Sequence, residues 1–337
     1  MTPDQVLEQR PLGRTGLTAS VVGLGTWQLG ADWGEVSEAD ARDVLEASLA
    51  AGVTFYDTAD VYGDGRSERI LGSFLADHRD EGLVVATKMG RRAEQVPESY
   101  VLEHFRAWTD RSRKNLGVDT LQLVQLHCPP SPVIDADATY DALDELVEDG
   151  AIAAYGVSVE TVDQALSAMT RTHVASVQII LNAFRLKPLD RVLPAAATAG
   201  IGIIARVPLA SGLLSGRYGE TTTFAADDHR SYNRDGSAFD VGETFSGVDF
   251  ATGIVAAREF RDLVAAHLPR GVTPAQAAVA WVAQQPGVTT VIPGARNVDQ
   301  ARANAAAGAL PRLPGEFLAG VRGIYDEHIR ESVHERW

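Results

Sequence analysis

Four residues in the first half of the chain have the side-chain types to move a proton onto a developing oxyanion: Asp57, Tyr62, Lys88 and His127. A carbonyl that accepts a hydride builds negative charge on its oxygen and needs a proton donor there. A free tyrosine, with a pKa of about 10, is a weak acid at neutral pH. A nearby ammonium favours the phenolate and lowers that pKa. A carboxylate beside the ammonium keeps it charged and in place, and a histidine can hydrogen-bond the carbonyl oxygen and orient it. Asp57, Lys88, Tyr62 and His127 can fill those four roles, provided the fold brings them together.

The surrounding pattern predicts how they meet. Apolar runs at 21–27, 53–57, 83–88, 121–127, 152–158, 176–180, 201–206 and 289–292 read as buried strands. They are apolar throughout rather than alternating, as parallel strands covered on both faces are. Helical segments at 37–51, 67–77, 97–116, 136–149, 162–170 and 188–199 separate the first seven. Segments at 253–267, 274–285, 298–307 and 316–329 complete the set. Ser37 is placed to cap its helix, with Asp40 at the third helical position. Strand–helix alternation implies a parallel sheet. Eight units without a linker favour a (β/α)8 TIM barrel over an open sheet, here as a single domain over 1–337. The stretch Leu12-Gly13-Arg14-Thr15-Gly16-Leu17 reads as the turn of an N-terminal β-hairpin. The polar stretch 216–249, after the seventh barrel strand, is too long for an ordinary connection and reads as a functional loop. Its Phe224, Tyr232, Phe239 and Phe245 are expected to anchor it to the barrel.

A TIM barrel places its active site at the C-terminal ends of its strands. Asp57, Lys88, His127 and Ser158 each end one, and Tyr62 follows Asp57 by five residues. Their joint placement on one rim says more than any one of them alone.

Composition narrows the function classes. The formal net charge of the 337 residues is −15, which disfavours nucleic acid and anionic membrane surfaces as partners. An anionic cofactor would then need local arginines. One cysteine, Cys128, allows no intrachain disulfide. Residues 1–10 lack the pattern of a signal peptide, and no apolar run reaches the roughly 20 residues of a membrane span. A cytoplasmic protein is expected, and a homo-oligomer is compatible with these features. The eight histidines show no metal-ligand spacing. His328 and His334 read as solvated groups. Gly23-Leu24-Gly25 lacks the third glycine of a dinucleotide-binding turn.

Several blocks in fixed order resemble the aldo-keto reductase family: LGRTGLTASVVGLGTW (12–27), GVTFYDTADVYGDGRSE (52–68), LVQLHCPP (123–130), YGVS (155–158), PLASGLLSGRY (208–218) and VIPGARNVDQARAN (291–304). The resemblance spans nearly the whole chain and implies NADPH-dependent reduction of a small carbonyl substrate. Tyr62 would be the general acid, Lys88 and Asp57 would tune it, and His127 would orient the carbonyl. It also implies cofactor positions. Gly25, Thr26 and Trp27 would lie beside the nicotinamide ribose with Asp57, and Ser158 and Gln178 would hold the nicotinamide amide. Arg206 falls where many members stack an aromatic ring on the nicotinamide. Pro208, Leu209, Ser211, Gly212 and Leu213 would bind the pyrophosphate, with Arg217 in reach of it. Gly294, Arg296, Gln300 and Asn304 would hold the adenosine end. A guanidinium at 296 suits a 2′-phosphate, hence NADPH rather than NADH. Trp27, Tyr62 and His127 would line the substrate pocket, and Cys128 would be structural.

The sequence departs from the common pattern at Val159, where an asparagine usually binds the amide. It departs again at Arg206, whose charge would disfavour oxidised nicotinamide, and at Ala303, which replaces an acidic residue. Two rivals stay open: a Schiff-base lyase or aldolase using Lys88, and a non-catalytic NADP(H)-binding regulatory subunit.

Overall fold

A computed structural model describes residues 7–30, 36–226, 228–234 and 244–337. Two short antiparallel strands, β1 (Gln9–Pro11) and β2 (Thr18–Ser20), form the N-terminal hairpin. Eight parallel strands follow: β3 (Leu24–Gly25), β4 (Phe55–Asp57), β5 (Val84–Met89), β6 (Leu123–His127), β7 (Tyr155–Ser158), β8 (Val174–Ile180), β9 (Gly202–Arg206) and β10 (Thr290–Val291). Each pairs with the next in chain order. Bridges Val22–Val291 and Gly25–Gly294 bring the two edges together and close the barrel. Helices α1 (Glu38–Ala50), α2 (Arg66–Asp77), α3 (Leu102–Leu116), α4 (Ser131–Asp135), α5 (Asp137–Glu148), α6 (Val162–Met169) and α7 (Pro188–Ala199) join the first seven strands from the outside.

The two-residue period of a strand assigns its side chains to two cores. On β5, Val85 and Met89 face the helices, while Val84 and Ala86 face the barrel interior, where Phe55, Leu123, Ile204 and Ile292 also pack. Continuing that inward row brings Lys88 to the rim, and the same count on β4 and β6 brings Asp57 and then Gln125 and His127. Gly23 occupies the inward row of the first strand segment because Phe55 fills the space a Cβ would need, 2.9 Å away. The hairpin closes the opposite end: Leu12 and Ala19 join the interior core, and Gly13 lies so close to Ala175 and Gly202 that a Cβ there would meet backbone at 2.0 Å. Burying a side chain such as Phe55 or Leu123 stabilises the fold by about 2–3 kcal/mol.

Some expected elements differ in detail. The 21–27 run shortens to β3 because the chain turns into a 3-10 segment at Trp27–Gly30. The 97–116 helix is two pieces, a 3-10 turn Pro97–Ser99 and α3, separated by Tyr100 and Val101 in non-helical conformations. Helix α4 was not expected. Ser37 caps α1 as predicted, its Oγ accepting from the Asp40 N–H at 3.1 Å.

Within 216–249, the described residues form α8 (His229–Tyr232) and a 3-10 turn Thr244–Gly247. Phe224, Phe245 and α9 (Phe250–His267) share an aromatic cluster with ring centroids 5.0–5.9 Å apart. Phe245 is fully buried, which supports anchoring, whereas Tyr232 is exposed. Phe239 lies outside the described residues. The remaining helices are α10 (Pro274–Ala283), α11 (Val298–Ala307), α12 (Gly315–Ile324) and α13 (Arg330–Val333). Neither C-terminal histidine is simply solvated. His328 Nε2 sits 3.0 Å from Glu259 Oε1, and His334 Nδ1 sits 2.9 Å from the Tyr325 hydroxyl. No helix among the described residues is long and apolar enough to cross a membrane.

Candidate active site

The centre of the rim is a buried ion pair. Lys88 Nζ donates to Asp57 Oδ1 at 2.5 Å, to the Thr58 carbonyl at 2.8 Å and towards the Tyr62 hydroxyl at 3.4 Å. Lys88 is 1% exposed and Asp57 2%. Burial alone would lower the lysine pKa, but the Asp57 carboxylate and the Tyr62 hydroxyl more than offset it, and the net shift is upward. The ammonium is therefore charged at neutral pH. Asp57 Oδ2 accepts from Gln178 Nε2 at 2.9 Å and from Gln125 Nε2 at 3.5 Å. The carboxylate is thus held on both oxygens, as a buried charge must be. The Tyr62 ring stands edge-on to His127, centroids 5.9 Å apart, and stacks beside Trp27 at 6.2 Å.

A polar chain continues along the rim. Ser158 Oγ lies 3.4 Å from Gln178 Oε1 and 3.4 Å from Cys128 Sγ. Arg206 Nη2 reaches the Cys128 sulfur at 3.5 Å and the Val159 carbonyl at 3.3 Å. The valine at 159 therefore contributes its backbone: its N–H donates to the Gln178 carbonyl at 2.8 Å while its own carbonyl accepts from Arg206.

A cleft of about 960 Å³ runs from Trp27, Tyr62 and His127 over this floor to Arg296. Of the residues expected at the cofactor, Gly25, Thr26, Trp27, Asp57, Ser158, Gln178, Arg206, Pro208, Leu209, Ser211, Gly212, Arg217, Gly294, Arg296, Gln300 and Asn304 line it. Leu213 does not: it is 1% exposed and packs against Gly253 of α9. Lys88 also lies outside the lining, beneath Tyr62. The strand-end residues project inward by the period of two. The 208–216 segment instead bends through positive φ at Ala210, Ser211 and Gly212, a path that favours glycine. At Gly212 a Cβ would collide with the Tyr218 hydroxyl.

The far end is a braced turn. Gln300 Oε1 accepts from the Arg296 N–H at 2.9 Å, and Asn304 Nδ2 donates to the Gly294 carbonyl at 3.0 Å. Asn297 caps α11 through Gln300 N–H. Arg296 and Arg217 are exposed at the cleft edge. Guanidinium groups and a helix N-terminus facing one cleft suit a polyanion, so this donor set fits a phosphorylated dinucleotide.

Sequence reading missed several lining residues: Gln28, Arg91, Tyr218, His229, Arg230 and Asn297. Arg91 Nε donates to the His127 carbonyl at 3.2 Å. The His229 ring meets Trp27 at 5.4 Å, and burial, which outweighs the nearby Asp228, pushes its pKa down to about 4. Tyr218, His229 and Arg230 join the lining only because residues 217–226 and 228–234 lie beside the cleft. Among the described residues, Glu259, Glu327 and His328 could bring three ligand atoms to one metal ion, but they stand outside the cleft lining.

A closed parallel barrel thus carries a lysine–carboxylate–tyrosine group at one end of a cleft whose other end suits a phosphorylated dinucleotide. The aldo/keto reductase family model matches residues 21–326, and the chain belongs to that family. It is similar to aldo-keto reductase YhdN of Bacillus subtilis, 30% identical over 88% of this chain and 87% of the relative. It is also similar to a protein of Oryza sativa named a probable voltage-gated potassium channel subunit beta, 28% identical over 98% of this chain and all of the relative. Among solved structures, the glycerol dehydrogenase of Gluconobacter oxydans superposes with a TM-score of 0.76. It is 28% identical, over 98% of this chain and 97% of that one.

Proposed function

We propose that the protein is an NADPH-dependent reductase of aldehydes or ketones, with the whole chain acting as one barrel domain. The observation that carries this reading is Lys88 Nζ held between the Asp57 carboxylate and the Tyr62 hydroxyl in a cleft that ends at Arg296. Bound NADPH supplies the hydride. Tyr62 donates the proton to the carbonyl oxygen, and Lys88 stabilises the phenolate that results. Asp57, braced by Gln178 and Gln125, keeps Lys88 charged and aimed. His127 hydrogen-bonds the carbonyl oxygen and fixes its approach. Ser158 and Gln178 would hold the nicotinamide amide, and Arg296 the 2′-phosphate.

The lysine geometry argues against a Schiff-base lyase. Such a lysine must be reachable and neutral, whereas Lys88 is buried, paired and held charged. The likeness to a channel subunit keeps a non-catalytic NADP(H)-binding role as the second reading.

The test is NADPH oxidation with a panel of aldehydes, ketones and hydroxy-carbonyl compounds. Tyr62→Phe should lower kcat by about 10²–10⁴-fold with NADPH affinity unchanged. Wild-type rates in that variant would rule out Tyr62 as the acid. Tight NADPH binding with no turnover on any carbonyl would favour the second reading.

A further inference from the structure

Asp60 is a buried acid that the proposed chemistry leaves unused. It lies between Asp57 and Tyr62, has no solvent exposure, and no side chain donates to its carboxyl group, towards which only the neighbouring Val61 N–H is directed. Glu68 of α2, Arg92 after β5, Tyr100 just before α3 and Arg111 of α3 face it. The two arginines direct their donors elsewhere. Arg111 Nη1 and Arg92 Nη1 donate to the Asp60 carbonyl at 3.0 and 3.4 Å, and both side chains also bind Asp64 Oδ1. The Glu68 carboxylate is occupied by Thr87 Oγ1 at 2.7 Å and Asn115 Nδ2 at 2.8 Å. Burial first, and then the negative charge of Glu68, push the Asp60 carboxyl up to about 7 against the pull of the two arginines and the Val61 N–H.

The Asp60 backbone belongs to the catalytic frame. Its N–H donates to the Lys88 carbonyl at 3.1 Å, and two residues on, the Tyr62 N–H donates to the Ala59 carbonyl at 3.1 Å. A charged carboxylate in a dry site with no side-chain donor, and at most one backbone N–H beside it, is disfavoured. Its relief is to shift towards water or the arginines. Such a shift would strain the Asp60 N–H bond to the Lys88 carbonyl and the turn that carries Tyr62.

We propose that Asp60 is a positioning residue that works as a neutral carboxylic acid under the Tyr62 loop, and that its ionisation loosens the alignment of Tyr62 with Lys88. Asp60→Asn keeps the volume and removes the ionisation. Two measurements test it. The first is kcat against pH at saturating NADPH. Wild type should show a descending limb centred near pH 7. Asp60→Asn should lack that limb and decline only where Tyr62 itself loses its proton, with KM for NADPH alike in both proteins. The second is melting temperature at about pH 5 and about pH 8. The folded pKa lies above the unfolded value of 3.8, so the native state holds this proton more tightly and stability falls as pH rises between the two values. Wild type should therefore lose melting temperature relative to Asp60→Asn over that interval.

Superimposable rate profiles and a pH-independent melting difference would overturn the proposal. Should Asp60→Asn fold poorly, Glu68→Gln serves instead: removing the neighbouring charge must move the limb to lower pH, and an unmoved limb overturns the idea. The rate readout rests on the proposed reductase reading, whereas the melting readout does not. A pH-dependent melting difference without turnover would fail the reaction and leave the assignment of Asp60 intact.

Discussion

The two ends of the cleft are built in opposite ways. At the reacting end, Asp57, Lys88, Gln125, Gln178 and His127 stand on strands, all nearly excluded from solvent. At the far end, Arg217 and Arg296 stand on loops and are exposed, and Gln300 and Asn304 act on the backbone that presents Arg296. A buried charge is costly unless paired, so each group at the first end depends on its neighbours. Ion pairs and hydrogen bonds of exposed arginines contribute little to stability, so each can be removed with little effect on the fold. One end is a coupled unit, the other a set of separable contacts.

The largest expected effect breaks the coupled end. Lys88→Met leaves Asp57 charged without its partner and should destabilise the protein by about 3–5 kcal/mol, read by urea denaturation. Adding Asp57→Asn to that variant should recover part of the loss, because no charge is then left unpaired. A Lys88→Met protein as stable as wild type would contradict the coupling.

The separable end should behave otherwise. Arg296→Ala should raise KM for NADPH by about 10–100-fold, the worth of a charge-assisted hydrogen bond. KM for NADH and urea stability should stay nearly as in wild type. Equal effects on both cofactors would refute the 2′-phosphate role.

The smallest effect sharpens the boundary between the two. His229 is buried against Trp27, yet it comes from the segment that folds over the cleft. Its folded pKa of about 4 lies below the ordinary 6.5, so the unfolded chain takes up the proton first and stability falls as pH drops through that window. Wild type should lose about 1 kcal/mol between pH 6 and pH 5 from this residue alone. His229→Gln should lose correspondingly less, measured by denaturation at the two pH values.

Much of this architecture was legible in the sequence because buried parallel strands read as continuous apolar runs and helices begin at caps. Polar residues ending apolar runs, such as Lys88 after Val84 and Ala86, stood out for that reason. Gln125 escaped notice because it sits inside an apolar run, two residues before His127. Leu213 entered the expected cofactor set with its neighbours, yet the positive-φ path at Ala210 to Gly212 turns its side chain into the core. At Ala210 and Ser211 that conformation falls on residue types that do not announce it, and Gly212 alone does not say where Leu213 points.

The sequence by itself determined the barrel, the order of its strands and the four residues that meet at its rim, because local periodicity and strand-end position are properties of neighbours along the chain. Tertiary structure alone decided which groups act on one another across the rim. Gln178 reaches Asp57 across 121 positions and Arg206 reaches Cys128 across 78. Asp60 lost its water, and His229 came to rest on Trp27. Those outcomes depend on distance and solvent exclusion, which exist only once the sheet has closed and residues 217–226 and 228–234 have come to lie beside the cleft.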